Sequence, residues 1–405
     1  MQDWACASTV PTILGKKQTL AHYSDVLPLG GQVGTALGAR IAGTVRLELL
    51  MAAWTWVVPA LSTGLLVIAI IAGGGLLLVV LCACALIGAV FAAVHHAEVV
   101  AHRVGEPLGT LVLALAVTVI EVSLILSMML AGGDDKAVLP RDTIYATVMI
   151  ICNGVVGICV LVGGIAHREQ SFRVEGAGAG LAALIAMSAI SLVLPDFTTT
   201  SGVGTYSGWQ LAFTAVVSIA LWAVFVFIQT VRHRDYFLPG RDAANPEVHG
   251  PPPTNREAWA SFGLLLVSLV SVVGLAKVLS PAMEHVIEAI GAPKAVIGIV
   301  IAMLVLLPET MAAVRAARAD RLQTSMNLAI GSALASIGLT IPVVAVTAGL
   351  LDLNLILGLE PKDLVMLALT FLVSAVTLGT GRTHVMQGAV HLVIFAAFLF
   401  LAFVP

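Results

Sequence analysis

The sequence predicts an all-α integral membrane protein of about eleven transmembrane helices, arranged as two inverted five-helix repeats plus an extra N-terminal helix. Three observations predict it: an apolar composition, eleven apolar runs of membrane-spanning length, and a polar pattern that occurs twice. Of 405 residues, 59% are hydrophobic and only 11% are charged, against roughly 25% charged in soluble domains. The formal net charge of -3 gives no reason to expect a nucleic-acid partner; membrane lipid is the expected surrounding. Cys82, Cys84, Cys152 and Cys159 lie inside apolar runs and only Cys6 lies in a polar segment. No CxxC spacing occurs, so the cysteines read as buried apolar groups, with no disulfide framework and no metal cluster.

A helix needs about 20 apolar residues to cross the hydrocarbon layer, because each residue rises roughly 1.5 Å across roughly 30 Å. Eleven runs meet that length, near 49–71, 76–94, 107–131, 143–166, 174–194, 208–229, 258–280, 293–313, 323–349, 361–380 and 385–404. Assigning alternate loops to alternate sides gives a lopsided distribution of Lys and Arg. Fifteen fall on one side (Lys16, Lys17, Arg40, Arg46, Arg103, Arg168, Arg173, Arg232, Arg234, Arg241, Arg256, Arg315, Arg318, Arg321 and Arg382) and five on the other (Lys136, Arg141, Lys277, Lys294 and Lys362). By the positive-inside rule the richer side is cytoplasmic. The expected protein is therefore multi-pass in a bacterial inner membrane, with its N-terminus in the cytoplasm and its C-terminus outside.

This count divides the chain into a cytoplasmic leader (1–48), a first helix (49–75), a five-helix repeat (76–229), a cytoplasmic linker (230–257) and a second five-helix repeat (258–405). The linker core PGRDAANPEVHGPPP is too rich in Pro and Gly to be helical. The duplication itself rests on polar matches. EVVAHRVGEPLGTLVLALAVTVIE (98–121) lies over EHVIEAIGAPKAVIGIVIAMLVLLPE (284–309), pairing Glu98 with Glu284, His102 with Glu288, the GxP turns at Gly105 and Gly291, and Glu121 with Glu309. Further on, RDTIYATVMIICNGVVGI resembles RLQTSMNLAIGSALASIGL. Five helices per copy is an odd number, so the second copy enters the membrane from the opposite side. Inverted repeats of this kind place a site near the midplane of secondary transporters.

Glu121 and Glu309 are the acidic residues lying well inside predicted spans. A carboxylate in the bilayer costs several kcal/mol or titrates to the neutral acid, so two at equivalent places in two copies point to function. Pro308 precedes Glu309 and cannot donate to the carbonyl of Leu304, which predicts a broken eighth helix. Lys277, near a predicted helix end, is expected to snorkel to the interface. Asn153, Asn327 and Ser332 can complete an oxygen cage around Glu121 and Glu309, and carboxylate plus amide oxygens suit a hard cation such as calcium or sodium. For these three, interhelical hydrogen bonding or close helix approach is the competing role. His95, His96, Glu98, His102 and Glu106 crowd the end of the second span, and the Glu98/Glu284 pairing favours a proton relay of Glu98, His102, Glu284 and Glu288. A metal cluster or a solvated helix end are the other readings of that segment.

The runs RVGEPLGTLVLALAVTVIEVSLI, LLPETMAAVRAARADRLQTSMNLAIGSALASIGLTIPVV and TGRTHVMQGAVHLVIFAAF resemble the bacterial ChaA-type sodium/calcium:proton antiporters of the cation/calcium exchanger superfamily. The resemblance covers roughly residues 76–404. It implies a five-plus-five inverted repeat with an extra first helix, cation binding by Glu121 and Glu309, and contributions from Asn153, Asn327 and Ser332. The resulting expectation is an antiporter that exports calcium, with sodium and potassium as further candidates, in exchange for protons. It needs no cofactor beyond the transported ions. A passive cation channel and an intramembrane metalloenzyme built on His95, His96, Glu98 and His102 are the rival readings; HExxH is absent.

Overall fold

The computed structural model describes residues 53–72, 75–105, 108–132, 137–238, 253–293, 295–351 and 353–404. The expected leader, Glu106, and the central part of the 230–257 linker lie outside the described residues. Eleven helices form among them, one for each predicted span: α1 (Ala53–Ala72), α2 (Leu76–Val104), α3 (Leu108–Gly132), α4 (Leu139–His167), α5 (Val174–Phe197), α6 (Gly208–Arg232), α7 (Asn255–Ala289), α8 (Ala295–Arg318), α9 (Leu322–Leu351), α10 (Pro361–Gly379) and α11 (Val385–Phe403). Ten are long and apolar enough to cross a membrane, and α3 carries a shorter described apolar stretch, Ala114–Ser127. Helices are the natural outcome, since lipid offers no partner for backbone N–H and C=O groups.

Local signals set the helix ends. Pro140 and Pro361 sit in the first turns of α4 and α10, where a missing N–H removes no intrahelical bond. Ser207 and Gln210 form a capping box at the start of α6, and His384 with Gln387 does the same for α11. The two GxP glycines end α2 and α7 with left-handed φ angles of 78° at Gly105 and 67° at Gly291, a conformation open to glycine without steric cost.

Hydrogen bonds sort the loops into two ends. At one end, β1 (Glu169–Ser171) pairs antiparallel with β2 (Arg382–His384). There Gln170 donates to the Ala317 carbonyl and to Asp320, His167 bonds the Arg318 carbonyl, and the Arg173 N–H donates to Gln323. At the other end, Arg141 bonds Asp142 and the Gly358 carbonyl, the Ile356 N–H donates to Ala137, and the Leu357 N–H donates to Gly204. Arg168, Arg173, Arg315, Arg318, Arg321 and Arg382 thus share the first end, which is the arginine-rich side of the sequence count.

Two sets of helices have their own polar ties. Among the described residues α2 and α7 share the most extensive interface, and α1 packs on both. Ser62 donates to the Ala85 carbonyl, the Thr63 and Ser271 hydroxyls lie 2.8 Å apart, and Arg103 Nε donates to Asn255 Oδ1 at 2.8 Å. Elsewhere α4 and α11 approach closely: a Cβ at Gly388 would lie 2.5 Å from the Leu161 nitrogen, and one at Gly157 3.0 Å from the His391 side chain. Small residues permit such backbone contact, from which membrane helices gain dispersion energy.

Several expectations are corrected. α2 runs ten residues past the predicted 94 to Val104, so His95, Glu98 and His102 belong to one continuous helix. The break expected at Pro308 does not occur: α8 is continuous with Pro308 buried inside it. Neighbouring hydroxyls and helices absorb a proline's lost bond in membrane helices. The irregular backbone lies instead in α4, where Ile150–Val155 form a π-helical turn, and in similar turns at Ala189–Val193 of α5 and Ile228–Arg232 of α6. Lys277 is not at a helix end but lies exposed within α7, twelve residues before Ala289. Cys84 faces outward, while Cys82, Cys152 and Cys159 are buried.

Candidate cation site

Glu121 reaches the interior from the middle of α3, only 3% exposed. Ser336 of α9 donates to its Oε1 at 2.5 Å, and the hydroxyls of Thr147 on α4 and Thr340 on α9 also face this carboxyl. Three helices, α3, α4 and α9, therefore meet at one acid. Glu309 comes from α8, half-buried as a residue, with its Oε2 buried and lacking any hydrogen-bond partner. It lies within the electrostatic field of both Glu121 and Glu98. Glu98, on α2, in turn faces Arg315 of α8, six residues beyond Glu309 toward the arginine-rich end. Glu309 is thus coupled to both Glu121 and Glu98, with Arg315 in the electrostatic field of Glu98.

The chemistry follows from like charges in an apolar surrounding. Two facing carboxylates without a counter-charge repel each other and forgo hydration. The arrangement is relieved by a cation between them or by protons on them. The hydroxyls around Glu121 serve either state, since each can donate to a carboxylate or accept from a carboxylic acid.

Asn153, fully buried on the π-turn of α4, is turned elsewhere. Its Nδ2 donates to Thr370 Oγ1 at 2.9 Å, and its Oδ1 meets His391 Nδ1 at 3.2 Å. His391 Nε2 lies 3.0 Å from Thr377 Oγ1. With the amide nitrogen donating to Thr370, the amide oxygen must accept from the imidazole Nδ1–H, and the Thr377 hydroxyl then donates to Nε2. That set of roles is complete for a neutral imidazole. Both ends of the Asn153 amide are thus engaged between α4, α10 and α11.

The remaining sequence-selected residues separate into distinct places. Asn327 donates to the Phe237 carbonyl at 2.6 Å and accepts from Gln323 Nε2 at 2.8 Å, near the arginine-rich end and away from Glu121. Ser332 sits on α9 one turn before Ser336. Glu284 accepts from Ser280 at 3.1 Å on α7, and His102 is exposed near the end of α2. His96 bonds the Thr55 carbonyl of α1 at 2.9 Å, with the His95 ring edge-on to it. The side chain of Glu288 lies outside the described residues. Among the described residues no group of three or more His, Cys, Asp and Glu side chains is placed to hold a metal ion. At the opposite end, the Lys362 ammonium bonded to Glu360 holds that carboxyl below its usual range.

Sequence reasoning missed Ser336, Thr147, Thr340 and His391. Ser336 and Thr340 follow Ser332 at intervals of four, a helical stripe visible in the sequence once its face is known. His391 stands as the lone imidazole in HLVIFAAFLF, and an ionisable side chain inside a span is itself a signal.

The chain matches the sodium/calcium exchanger protein family over residues 74–231 and 260–404. It is 47% identical over 355 residues to y4hA of Sinorhizobium fredii, covering 87% of this chain and 96% of that protein. It is 35% identical over 322 residues to the sodium-potassium/proton antiporter ChaA of Escherichia coli, covering 78% of this chain and 86% of that one. Its fold is similar to that of the H+/Ca2+ exchanger CAX, with a TM-score of 0.66, 12% identity, and coverage of 85% of this chain and 87% of the other. At that identity the likeness speaks for the fold.

Proposed function

This chain belongs to the sodium/calcium exchanger protein family, and on that premise we propose that it is a secondary antiporter exporting calcium in exchange for protons, with sodium and potassium as further substrates. It acts as a transporter and not as an enzyme. The monovalent substrates enter because the Escherichia coli relative is named for them, and calcium because two carboxylates with neutral oxygens suit a hard divalent ion. The single observation that carries the reading is the buried, unpartnered Oε2 of Glu309 on a carboxyl that lies in the electrostatic field of Glu121.

In this mechanism the cation and the protons compete for the same two carboxyls. Cation binding requires both ionised; proton binding discharges the site, and the competition couples the two fluxes. The Ser336 hydroxyl, donating to Glu121 Oε1, orients that carboxyl for the cation. Glu98 lies in the field of Glu309 and nearer the arginine-rich end, which suits a proton relay between the site and that side; Glu284 is the counterpart on the inverted copy. Asn153 supports the site by fixing α4 against α10 and α11, while Asn327 and Ser332 remain proposed contributors that would have to turn toward the cation in another state. Alternating access moves one inverted half against the other around the fixed site. The positive-inside rule sets the arginine-rich end in the cytoplasm of a bacterial inner membrane.

The test uses everted membrane vesicles carrying a respiration-generated proton gradient, to which calcium, sodium and potassium are added in turn. Dissipation of the gradient by calcium, and by the monovalent ions in proportion to their affinity, is the expected result. Cation flux that ignores the pH gradient would instead indicate a passive channel and overturn antiport.

A further inference from the structure

An apolar groove of about 700 Å³ opens between α1 and α7, lined by Leu66, Ile70, Leu269, Val273, Gly274 and Lys277 among others. Its volume falls inside the roughly 300–1,000 Å³ of small-molecule sites. Gly274 shapes its floor: a Cβ there would stand 2.4 Å from Leu66 Cδ2, so only glycine lets the leucine settle against the α7 backbone.

Lys277 sets the groove's polarity. Asn255, at the start of α7, is tied to Arg103 at the arginine-rich end. The 22 residues from Asn255 to Lys277 rise about 33 Å at about 1.5 Å each, the thickness of the hydrocarbon layer, roughly 30 Å. Lys277 therefore stands at the level of the opposite headgroups, while Leu66 and Leu269 lie deeper along the same groove. The other described cations at that end are paired. Arg141 is paired with Asp142, and Lys362 with Glu360 and Asp363; Lys136 and Lys294 lie outside the described residues. Lys277 is exposed, and among the described residues no hydrogen bond or ion pair engages it. An apolar trough with one unmatched ammonium at headgroup height is complementary to a molecule with an acyl chain and a single anionic head.

We propose that this groove is a binding site for an anionic phospholipid, its phosphate on the Lys277 ammonium and an acyl chain along Leu66, Ile70 and Leu269 between α1 and α7. The ammonium is a compact point charge that suits a tetrahedral phosphate, and the phosphate holds it at the headgroup level where it would otherwise snorkel toward water.

The experiment reconstitutes the full chain into nanodiscs of phosphatidylglycerol and phosphatidylethanolamine, extracts it into detergent, and counts retained lipid by native mass spectrometry. Wild type is expected to retain a phosphatidylglycerol molecule that Lys277→Gln loses and Lys277→Arg keeps. Both variants change a side chain exposed to the bilayer and should fold. Equal retention by wild type and Lys277→Gln, or no preference for phosphatidylglycerol over phosphatidylethanolamine in wild type, overturns the proposal. A parallel arm adds oleate: a Lys277-dependent oleate adduct displacing phosphatidylglycerol would assign the groove to fatty-acid carboxylate and overturn the phosphate assignment.

Discussion

Replacing Ser336 with Ala removes one donor from the carboxyl proposed to hold the cation and leaves everything else near it in place. The hydroxyl lies 2.5 Å from Glu121 Oε1, and Ser336 is 4% exposed, so the lost bond is a buried one to a charged acceptor. Such bonds contribute about 1.5–3 kcal/mol. At about 1.4 kcal/mol per tenfold, the full loss corresponds to a roughly 10- to 150-fold weaker cation affinity. Thr147 and Thr340 still face the carboxyl and take up part of the deficit, which sets the expectation at the lower end, about tenfold. The sign with pH follows from competition. The serine hydroxyl orients the ionised carboxyl, so its removal favours the proton over the cation, and the affinity deficit should be larger at pH 6 than at pH 8. Isothermal titration of purified protein with calcium at the two pH values measures it, with Ser332→Ala as the companion variant. An unchanged affinity in Ser336→Ala at both pH values, alongside a clear loss in Ser332→Ala, would refute the assignment of Ser336 to the Glu121 carboxyl and restore the serine one turn earlier.

Glu121→Gln and Glu309→Gln each mimic the protonated acid; cation-driven proton flux in everted vesicles should vanish in both while insertion and yield stay normal, and near-wild-type exchange in either would place the site elsewhere. Glu98→Gln should slow exchange or move its pH optimum with equilibrium calcium binding retained, so a variant that no longer binds calcium would make Glu98 a ligand. His391→Leu leaves Asn153 Oδ1 buried and unpartnered, which costs about 1–3 kcal/mol; the apparent Tm should drop by several degrees, more than in His391→Asn, and equal melting of the two would argue against the network. A cysteine at Ala243 in the linker should resist an impermeant maleimide in intact cells and react in everted vesicles; the reverse pattern would invert the proposed orientation.

The helices were legible because lipid leaves the sequence few options: each apolar run of about 20 residues has a helix at its place, and the arginine asymmetry has its counterpart in the ribbon of β1 and β2 and the loops tied to it. Glu121 was legible for the same reason, as a charge with no business in hydrocarbon unless a function needs it. Its partners were less so. Ser332 and Ser336 share a helix face and an apolar neighbourhood, and only the height of α9 relative to α3 decides which meets Glu121. Height depends on where helices end and how they cross, which periodicity does not encode. The unbroken passage of α8 through Pro308 was illegible because helix continuity there depends on packing from neighbouring helices. His391 was overlooked in a span whose other residues are nearly all apolar, although its pairing with Asn153 joins positions 238 residues apart, beyond the reach of any local pattern.

The π-turn at Ile150–Val155 makes the length of α4 as consequential as its composition. Thr147, which faces Glu121, lies before this turn, and Gly157, which packs on α11, lies after it. Each residue of an α-helix advances its face by about 100°. Its i→i+5 hydrogen bonds fit one residue more into the turn than an α-helix would, so deleting one residue between 150 and 155 would let α4 close as a regular helix with the faces on either side still in register, whereas an insertion beyond the turn would rotate everything after it by roughly that angle relative to Thr147. The flat glycine surface would swing away from Gly388, and a bulkier neighbour would be driven into a backbone contact that tolerates no side chain. The segment should accept conservative replacements at several positions and the loss of the one extra residue of the turn, yet reject insertions, so variants of this helix should lose a residue here more readily than gain one.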